Sequence, residues 1–211
     1  MIDILAVLKK TETTDLNTDM SDKTNFIMRF ILFAVVHSLF ATAWAKKILH
    51  GADRQGYRLF YNCVSLAMFG WVMSAYRRSN VLYFVPGVWS LVMYLLQLVV
   101  VVILVSCLRQ TGIGEFIGLT KGTTGSFASS GWYSIVRHPL YFFSALFMAL
   151  NPVMTSQWLI LTILGTAYFI VGGLIEERRL TVEFGEAYRR YQQRVPFFIP
   201  HPAKFRPQHD K

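Results

Sequence analysis

The sequence predicts an all-α integral membrane protein with about five transmembrane helices, a C-terminal helical hairpin and a pocket on the cytoplasmic side. Of its 211 residues, 54% are hydrophobic and only 16% are charged, whereas a soluble domain usually has about 25% charged residues. The mean hydropathy is +0.39, and the apolar residues lie in runs long enough to cross a hydrocarbon core of about 30 Å.

The net charge is +9, which raises the question of nucleic acid as a partner. However, most of the cations lie beside apolar runs, and no polar helix carries a basic stripe interleaved with aromatic residues. The headgroups of the lipid bilayer are therefore the expected partner, and nucleic acid is not. The two cysteines have no CxxC or metal-ligand spacing, so neither a disulfide framework nor a metal site is predicted.

Four segments divide the chain. Residues 1–24 form a polar N-terminal tail, which we expect to be disordered apart from one amphipathic turn. Residues 25–108 form a three-helix membrane scaffold, residues 109–200 form the core that carries the candidate site, and residues 201–211 form a polar tail. Within the core, the long connection 109–136 is rich in glycine, serine and threonine, which fits a functional loop and a plain flexible connector about equally well.

Five apolar runs are the predicted spans, at about 26–45, 55–76, 85–107, 139–151 and 158–174. The last two are short, and the uncharged turn between them predicts a helical hairpin. After this hairpin, Leu180, Phe184 and Tyr188 recur at four-residue intervals and Tyr191 continues their face, which is typical of an amphipathic helix. Residues 195–200 contain too much proline to continue that helix.

Polar side chains interrupt the first two spans. His37 lies inside the first, where a hydrogen bond to a neighbouring helix is a more common role than catalysis. Tyr57 and Tyr61 share one helix face and fit either a polar lining or an interfacial aromatic belt. Arg58 and Asn62 also share a face, which makes them candidates for binding a substrate.

The distribution of cations predicts the orientation. Five spans put the two termini on opposite sides, and 15 of the 21 Lys and Arg residues fall on the side of the C-terminus. Because cytoplasmic loops carry the excess of cations, we expect the N-terminus outside and the loop 109–138, the C-terminus and the candidate site in the cytoplasm. The expected location is a bacterial inner membrane.

The most distinctive stretch is residues 131–141, Gly-Trp-Tyr-Ser-Ile-Val-Arg-His-Pro-Leu-Tyr, at the start of the fourth span. Pro139 suits the first position of a helix, so Arg137 and His138 lie at its positive, donor-rich end, where anions bind. Arg137 fits a ligand contact and an anchor at the lipid headgroups equally well.

Two glutamates end the fifth span, and the hairpin brings them close to the start of the fourth. We expect Glu176 to face His138 across a pocket, whereas Glu177 and the arginines 178–179 fit a solvated helix end. Carboxylates on one wall, anion donors on the other and tyrosine rings between them suit a zwitterion that also carries a flat ring or a cation.

Three ordered motifs within residues 112–200 resemble the isoprenylcysteine carboxyl methyltransferase superfamily, which includes phospholipid N-methyltransferases and bacterial methanethiol S-methyltransferases. They are Arg-His-Pro-x-Tyr at 137–141, Glu-Glu-x-x-Leu at 176–180 and Phe-Gly-x-x-Tyr-x-x-Tyr-x-x-x-Val-Pro at 184–196. The front half, with His37-Ser38 and residues 57–62, looks more like the NnrU-like and methanethiol S-methyltransferase branch.

The resemblance implies a cytoplasmic pocket for S-adenosylmethionine and methyl transfer to a small or membrane-associated nucleophile. A thiol is favoured, then a lipid amine, then an isoprenylcysteine carboxylate, because Gly172 stands where isoprenylcysteine enzymes have an arginine implicated in substrate binding. Methyl transfer needs alignment more than acid–base chemistry, so no catalytic residue is assigned. By position, the implied cofactor contacts are Gly125, Ser126, Phe127, Ala128, Tyr133, His138, Pro139, Leu140, Tyr141 and Glu176, and the candidate substrate-binding residues are Arg58, Asn62 and Arg137.

A non-catalytic membrane accessory protein of a respiratory or denitrification system is the alternative. In its sharpest form, His37 and His138 would be axial ligands of a haem, but no paired-histidine spacing supports this form. Binding of the cofactor separates the two hypotheses.

Overall fold

The computed structural model describes residues 4–42, 45, 54–77, 79–112 and 127–200, without the side chains of residues 4–17, 54 and 55. The described chain is mostly helical. In chain order its elements are α1 (Ile4–Ala41), α2 (Arg54–Met73), β1 (Val81–Phe84), α3 (Val88–Thr111), a 3₁₀ turn (Gly131–Ser134), α4 (Pro139–Ala149), β2 (Val153–Thr155) and α5 (Ser156–Arg194).

Three helices in the described part of the chain are long and apolar enough to cross a membrane: Thr18–Ala41 within α1, then α3 and α5. In α5 the apolar run ends before Glu176. The chain is therefore a helical integral membrane protein. The predicted count of five spans is not confirmed, because α2 carries several polar residues and α4 has only 11 residues, about 16 Å at 1.5 Å per residue.

The predicted disorder of the N-terminal tail is wrong for residues 4–24, because α1 begins at Ile4 and continues to Ala41. This stretch contains neither proline nor glycine. Helix formation is cooperative, so the packed part of α1, which buries Phe26 and Phe30, can propagate a helix upstream until a residue stops it. Polarity is therefore a poor guide to order in this segment.

The segment between α4 and α5 is extended, and its strand β2 pairs with β1 in a small sheet that the sequence did not predict. Asn151 precedes Pro152, and a residue before proline disfavours the helical conformation. The backbone N–H of Val153 donates to Oδ1 of Asn151 (3.2 Å), and that of Val85 donates to the carbonyl of Pro152 (2.9 Å). These contacts end α4 and give the predicted hairpin a strand in place of a plain turn.

The chain forms two compact units, Met1–Leu82 with Thr155–Ile160, and Tyr83–Met154 with Leu161–Lys211. The division falls at Leu82, so α3 belongs to the same unit as α4 and most of α5. The residues that carry the three sequence motifs all lie in the second unit.

In the first unit, α1 packs against α2 around a polar cluster. The Nδ1 atom of His37 lies 2.8 Å from Oγ of Ser65, and its Nε2 atom lies 2.5 Å from the hydroxyl of Tyr61. The hydroxyl of Tyr57 donates to the carbonyl of Phe40 (2.5 Å). The predicted hydrogen bond from His37 to a neighbouring helix is therefore confirmed, and both tyrosines tie α2 to α1.

In the second unit, α4 runs antiparallel to α3. The side-chain amide of Gln97 donates to the carbonyl of Phe147 near the end of α4 (3.0 Å), and Trp132, just before α4, donates to Oγ of Ser106 near the end of α3 (3.1 Å). Gly185 interrupts α5 with φ 53° and ψ −126°, a conformation that side chains other than glycine rarely adopt. This kink allows the end of α5 and the residues after it to contact the start of α4.

Candidate active site

Arg137 ties three parts of the second unit together. Its Nε and Nη2 atoms donate to the two carboxylate oxygens of Glu177 (2.5 and 3.0 Å), and Nη1 donates to the carbonyls of Gln192 and Val195 (2.9 and 2.6 Å). Its backbone N–H donates to the carbonyl of Pro196 (2.9 Å). Because only 10% of the Arg137 side chain is exposed, a headgroup anchor does not describe it.

Glu177 is buried, so its assignment to a solvated helix end is wrong. Only 9% of the residue is exposed. Besides Arg137, its carboxylate lies 3.2 Å from Nε2 of His138 and accepts a hydrogen bond from the amide of Gln192 (3.0 Å). The arginines 178–179 are exposed, as expected. Successive helical residues point about 100° apart, so one member of a charged run can face inward.

Glu176 and His138 lie close together, as the predicted hairpin requires. Nδ1 of His138 is 3.7 Å from Oε2 of Glu176, and the hydroxyl of Tyr141 donates to the same oxygen (3.2 Å). The Glu176 side chain is 36% exposed, and its other oxygen lies 3.9 Å from the largely exposed guanidinium of Arg179. Glu176 therefore remains accessible to a ligand, whereas Glu177 is fully used by the protein.

Aromatic rings form one side of this site. The rings of His138, Tyr141 and Phe169 are nearly parallel, with successive centroids 5.5 Å apart, and Phe197 meets His138 edge-on at 5.1 Å. A Cβ atom at Gly173 would lie 3.0 Å from Cζ of Phe197 and 3.4 Å from Cδ2 of His138. Glycine at this position therefore lets the rings approach the backbone of α5.

A second aromatic cluster is formed by one face of the last part of α5 and by Phe127. The ring of Phe127 is 5.2 to 5.3 Å from those of Phe184, Tyr188 and Tyr191. Tyr188 and Tyr191 are buried, and Leu180 packs against them. The predicted amphipathic face is therefore confirmed, and Phe127, which lies within the long connection 109–136, packs against it.

Tyr133 joins this cluster to the rest of the site. Its carbonyl accepts a hydrogen bond from the hydroxyl of Tyr191 (2.5 Å). Burial raises the pKa of the Tyr133 phenol, and the nearby Cys107, Glu176 and Tyr191 raise it further. The phenol of Tyr133 is therefore a neutral group at physiological pH and can donate a hydrogen bond but carries no charge.

The other implied cofactor contacts differ in their burial. Pro139 begins α4 and is buried, Leu140 is half-buried, and Ala128 is exposed. Gly125 and Ser126 lie outside the described residues. For all of these residues a role in cofactor binding stays a prediction.

The assignment of Arg58, Asn62 and Arg137 to the substrate also stays a prediction. Arg58 and Asn62 lie on α2, in the first unit. The bonds of Arg137 favour a role in holding the site together.

Five residues of the site were missed as contributors: Phe169, Gly173, Glu177, Gln192 and Phe197. The second glutamate of the Glu-Glu-x-x-Leu motif was a usable signal for Glu177, because it is fixed in spacing relative to the first. Phe197 follows the Val-Pro pair that ends the third motif. Phe169 and Gly173 lie in an apolar span, where nothing in the spacing distinguishes them from lipid-facing neighbours.

The fold and the site define a helical integral membrane protein that places an accessible carboxylate beside stacked aromatic rings. The buried ion pair of Arg137 and Glu177 lies next to His138 and holds the start of α4 against α5. The chain belongs to the NnrU family, whose model, described as NnrU protein, matches residues 25–197.

Curated relatives point to methyl transfer. The methanethiol S-methyltransferase of Pseudomonas deceptionensis is 29% identical over 193 residues, which cover 82% of this chain and 71% of the relative. Methanethiol S-methyltransferase 1 of Bradyrhizobium diazoefficiens is 30% identical over 207 residues, which cover 90% of this chain and 72% of the relative. No solved structure matches the chain significantly. The resemblance to this branch is thereby confirmed, and the relatives support a methyltransferase activity.

Proposed function

We propose that this protein is an integral membrane methyltransferase that uses S-adenosylmethionine and methylates a small thiol. A lipid amine and an isoprenylcysteine carboxylate follow as acceptors, in that order. The observation that carries the proposal is the position of Glu176. Its carboxylate is accessible, lies against Tyr141 and His138, and belongs to a chain whose relatives are methanethiol S-methyltransferases.

The charges around Glu176 suit a cationic ligand. The guanidinium of Arg137 is matched by the carboxylate of Glu177. Among the described residues, the permanently charged partner of Glu176 is the exposed Arg179, and the ring of His138 lies 3.7 Å from its carboxylate. S-adenosylmethionine carries an ammonium group, a sulfonium, ribose hydroxyls and an adenine ring. Glu176 can accept hydrogen bonds from the ammonium or the hydroxyls, and the parallel rings beside it suit a flat ring or a cation. The residues present therefore fit this cofactor.

When bound, S-adenosylmethionine supplies a methyl group on a positively charged sulfur, and the transfer is an in-line displacement. The protein's main contribution is orientation, which can lower the barrier by about 7–11 kcal/mol. In this proposal Glu176 and Tyr141 orient the ligand, and His138 forms a fixed wall between them. Arg137 does not contact the ligand in this proposal. Its hydrogen bonds hold residues 192–196 beside His138, which helps to exclude water from the site.

The acceptor order rests on Gly172 and on the chemistry of the nucleophile. A side chain at Gly172 would meet nothing within 4 Å among the described residues, so this position supplies no cation to hold an acceptor carboxylate. A thiol becomes a strong nucleophile on losing its proton, and it needs no buried base if the thiolate itself binds. This argument ranks a small thiol above an isoprenylcysteine carboxylate.

The proposal includes the orientation in the membrane. We infer that the chain crosses the membrane five times. The three long apolar helices make three of these crossings, α2 makes the fourth, and α4 together with the extended segment after it makes the fifth. The excess of Lys and Arg supports a cytoplasmic site and C-terminus, with the N-terminus outside a bacterial inner membrane. A cytoplasmic site would have access to soluble S-adenosylmethionine.

Titration calorimetry with S-adenosylhomocysteine tests cofactor binding on the full chain purified in detergent. Replacing Glu176 with Gln removes one charged hydrogen-bond acceptor, which is worth about 1.5–3 kcal/mol, so binding should weaken about tenfold or more. Arg178→Ala is the matched control, because Arg178 is exposed two residues later on the same helix, where it faces away from Glu176, and should leave binding unchanged. No binding to the folded wild-type protein at millimolar ligand would exclude the cofactor assignment.

Transfer from radiolabelled S-adenosylmethionine identifies the acceptor. Methanethiol, phosphatidylethanolamine and a farnesylated cysteine are offered separately to the wild-type protein and to the Glu176→Gln variant. We expect label on the thiol and a strong loss of it in the variant. Label on the lipid amine alone would support the proposed methyltransferase activity but would overturn the proposal that the acceptor is a thiol.

A further inference from the structure

An apolar groove with a cation at one end lies on the surface of the first unit. It is an open groove of about 500 Å³, formed among the described residues by one face of α1 and one tryptophan of α2. Its lining residues are Asn25, Met28, Arg29, Ile31, Leu32, Val35 and Trp71.

The cation is held in place by its neighbours. The Nε atom of Arg29 donates to Oδ1 of Asn25 (3.1 Å), and Nη1 donates to the carbonyl of Trp71 (3.1 Å) and to Oγ of Ser74 (3.0 Å). The guanidinium carbon lies 4.7 Å from the centroid of the Trp71 ring. The Nη2 atom of Arg29 has no partner among the described residues, so its two N–H donors are available at the end of the groove.

The depth of Arg29 suits a headgroup. The apolar run of α1 starts at Phe26, so Arg29 lies less than one turn inside it, and its long side chain can reach the interface. Trp71 lies two residues before the end of α2, and tryptophan is enriched at the level of the headgroups. Both residues therefore mark the same interfacial level.

The rest of the groove suits an acyl chain. Met28, Ile31, Leu32 and Val35 follow one helix face, and each is 47 to 61% exposed. From Met28 to Val35 this face extends about 10 Å along the helix axis at 1.5 Å per residue. Such a strip of exposed apolar side chains would be costly in water but is favourable against hydrocarbon.

We propose that this groove binds one phospholipid with an anionic headgroup. The phosphate would accept hydrogen bonds from Nη2 of Arg29, which presents planar, permanently charged donors that match phosphate. One acyl chain would follow the strip from Met28 to Val35. Arg29 also caps the end of α2, but capping uses Nη1 and leaves Nη2 for the lipid. This site is independent of the proposed methyl transfer.

Mass spectrometry of the intact full chain, released from detergent after titration with lipid, tests the proposal. The wild-type protein should bind phosphatidylglycerol about tenfold more tightly than phosphatidylcholine, which corresponds to about 1.4 kcal/mol. Both lipids carry the phosphate, but phosphatidylcholine also brings a quaternary ammonium that the guanidinium of Arg29 repels. Arg29→Ala should abolish this preference. Arg77→Ala is the matched control, because Arg77 is exposed just after the end of α2, its side chain donates to the carbonyl of Ser74, and it does not line the groove.

Two further arms separate the lipid from simpler explanations. Leu32→Gln keeps the cation but makes the strip polar, and it should weaken phosphatidylglycerol binding. Free glycerol 3-phosphate should not bind at millimolar concentration, and binding as tight as that of the lipid would overturn the proposal. Equal lipid preference in Arg29→Ala and the wild type would also overturn it. Circular dichroism confirms that each variant is folded, and Arg29→Lys, which keeps the charge, should retain a preference if the alanine variant does not fold.

Discussion

Each unit of the molecule places a histidine between two helices, half-buried in the first unit and buried in the second, and the two histidines have opposite surroundings. His37 is hydrogen bonded to the neutral side chains of Ser65 and Tyr61. His138 lies 3.2 Å from the carboxylate of Glu177 and 3.7 Å from that of Glu176. Neutral partners are enough to satisfy the half-buried ring of His37 in helix packing. Charged groups are costly to bury unless they are paired. Glu177 has such a partner in Arg137, whereas Glu176 stays accessible, as the proposed cofactor site requires.

The comparison is sharpest where the charges are fully buried. Glu177→Ala would leave the guanidinium of Arg137 without its ion-pair partner in a site where both side chains are about nine-tenths buried. Breaking a buried pair costs about 3–5 kcal/mol, so we expect a large fall in the thermal unfolding midpoint. Glu176→Gln, on the adjacent and half-exposed residue, should change the midpoint little. Equal destabilisation by both changes would refute the different roles given to the two glutamates.

The two histidines should differ in their effect on ligand binding. His138→Ala removes a wall of the site and should weaken S-adenosylhomocysteine binding about tenfold, equivalent to about 1.4 kcal/mol. His37→Ala should leave that affinity unchanged and instead destabilise the fold by about 1–2 kcal/mol, because the hydroxyls of Ser65 and Tyr61 lose their partner. Calorimetry measures the ligand affinity and thermal unfolding measures the stability of both variants. A loss of ligand binding in His37→Ala would contradict the different roles of the two histidines.

Two adjacent glycines test the packing around His138. A Cβ atom at Gly173 would come within 3.0 Å of the Phe197 ring, whereas one at Gly172 would meet nothing within 4 Å of the described residues. Alanine is favoured over glycine inside a helix by about 1 kcal/mol, so Gly172→Ala should raise stability. Gly173→Ala should gain less or lose stability, because overpacking costs about 1–3 kcal/mol. The difference between the two unfolding midpoints is the measurement, and identical shifts would rule out the tight packing.

The smallest expected effect comes from two tyrosine hydroxyls. Tyr141→Phe keeps the stack with His138 and Phe169 but removes the hydrogen bond to Glu176, and it should weaken ligand binding by about 0.5–1.5 kcal/mol. Tyr61→Phe removes the hydrogen bond to His37 and should affect stability alone, by a similar amount. Ligand affinities and unfolding midpoints of the two variants separate a role in binding from a role in packing.

Spacing was enough to predict one half of the candidate site. A hairpin brings the start of one span close to the end of the next, so the approach of Glu176 to His138 followed from the positions of two apolar runs. The amphipathic face that includes Tyr188 and Tyr191 followed from its four-residue period. Both predictions depend on local helical geometry, which a sequence expresses directly.

The other half depends on contacts between distant parts of the chain. Gln192 and Val195 accept hydrogen bonds from Arg137, 55 and 58 residues earlier, and no local pattern encodes this pairing. Glu177 belongs to a run of four charged residues, which resembled a solvated helix end. The helix over residues 4–24 is a different case, because its polar composition is typical of a disordered tail although the stretch contains no helix breaker.

The ties from Arg137 have a consequence for the order in which the protein is made. Domains tend to fold from the N-terminus during synthesis, but Arg137 and His138 leave the ribosome long before residues 192–197 exist. Until those residues arrive, the guanidinium of Arg137 lacks its two carbonyl acceptors and the ring of His138 lacks its contact with Phe197. The helices can therefore insert into the membrane first, and the site is completed by the last part of α5 and the short segment that follows it.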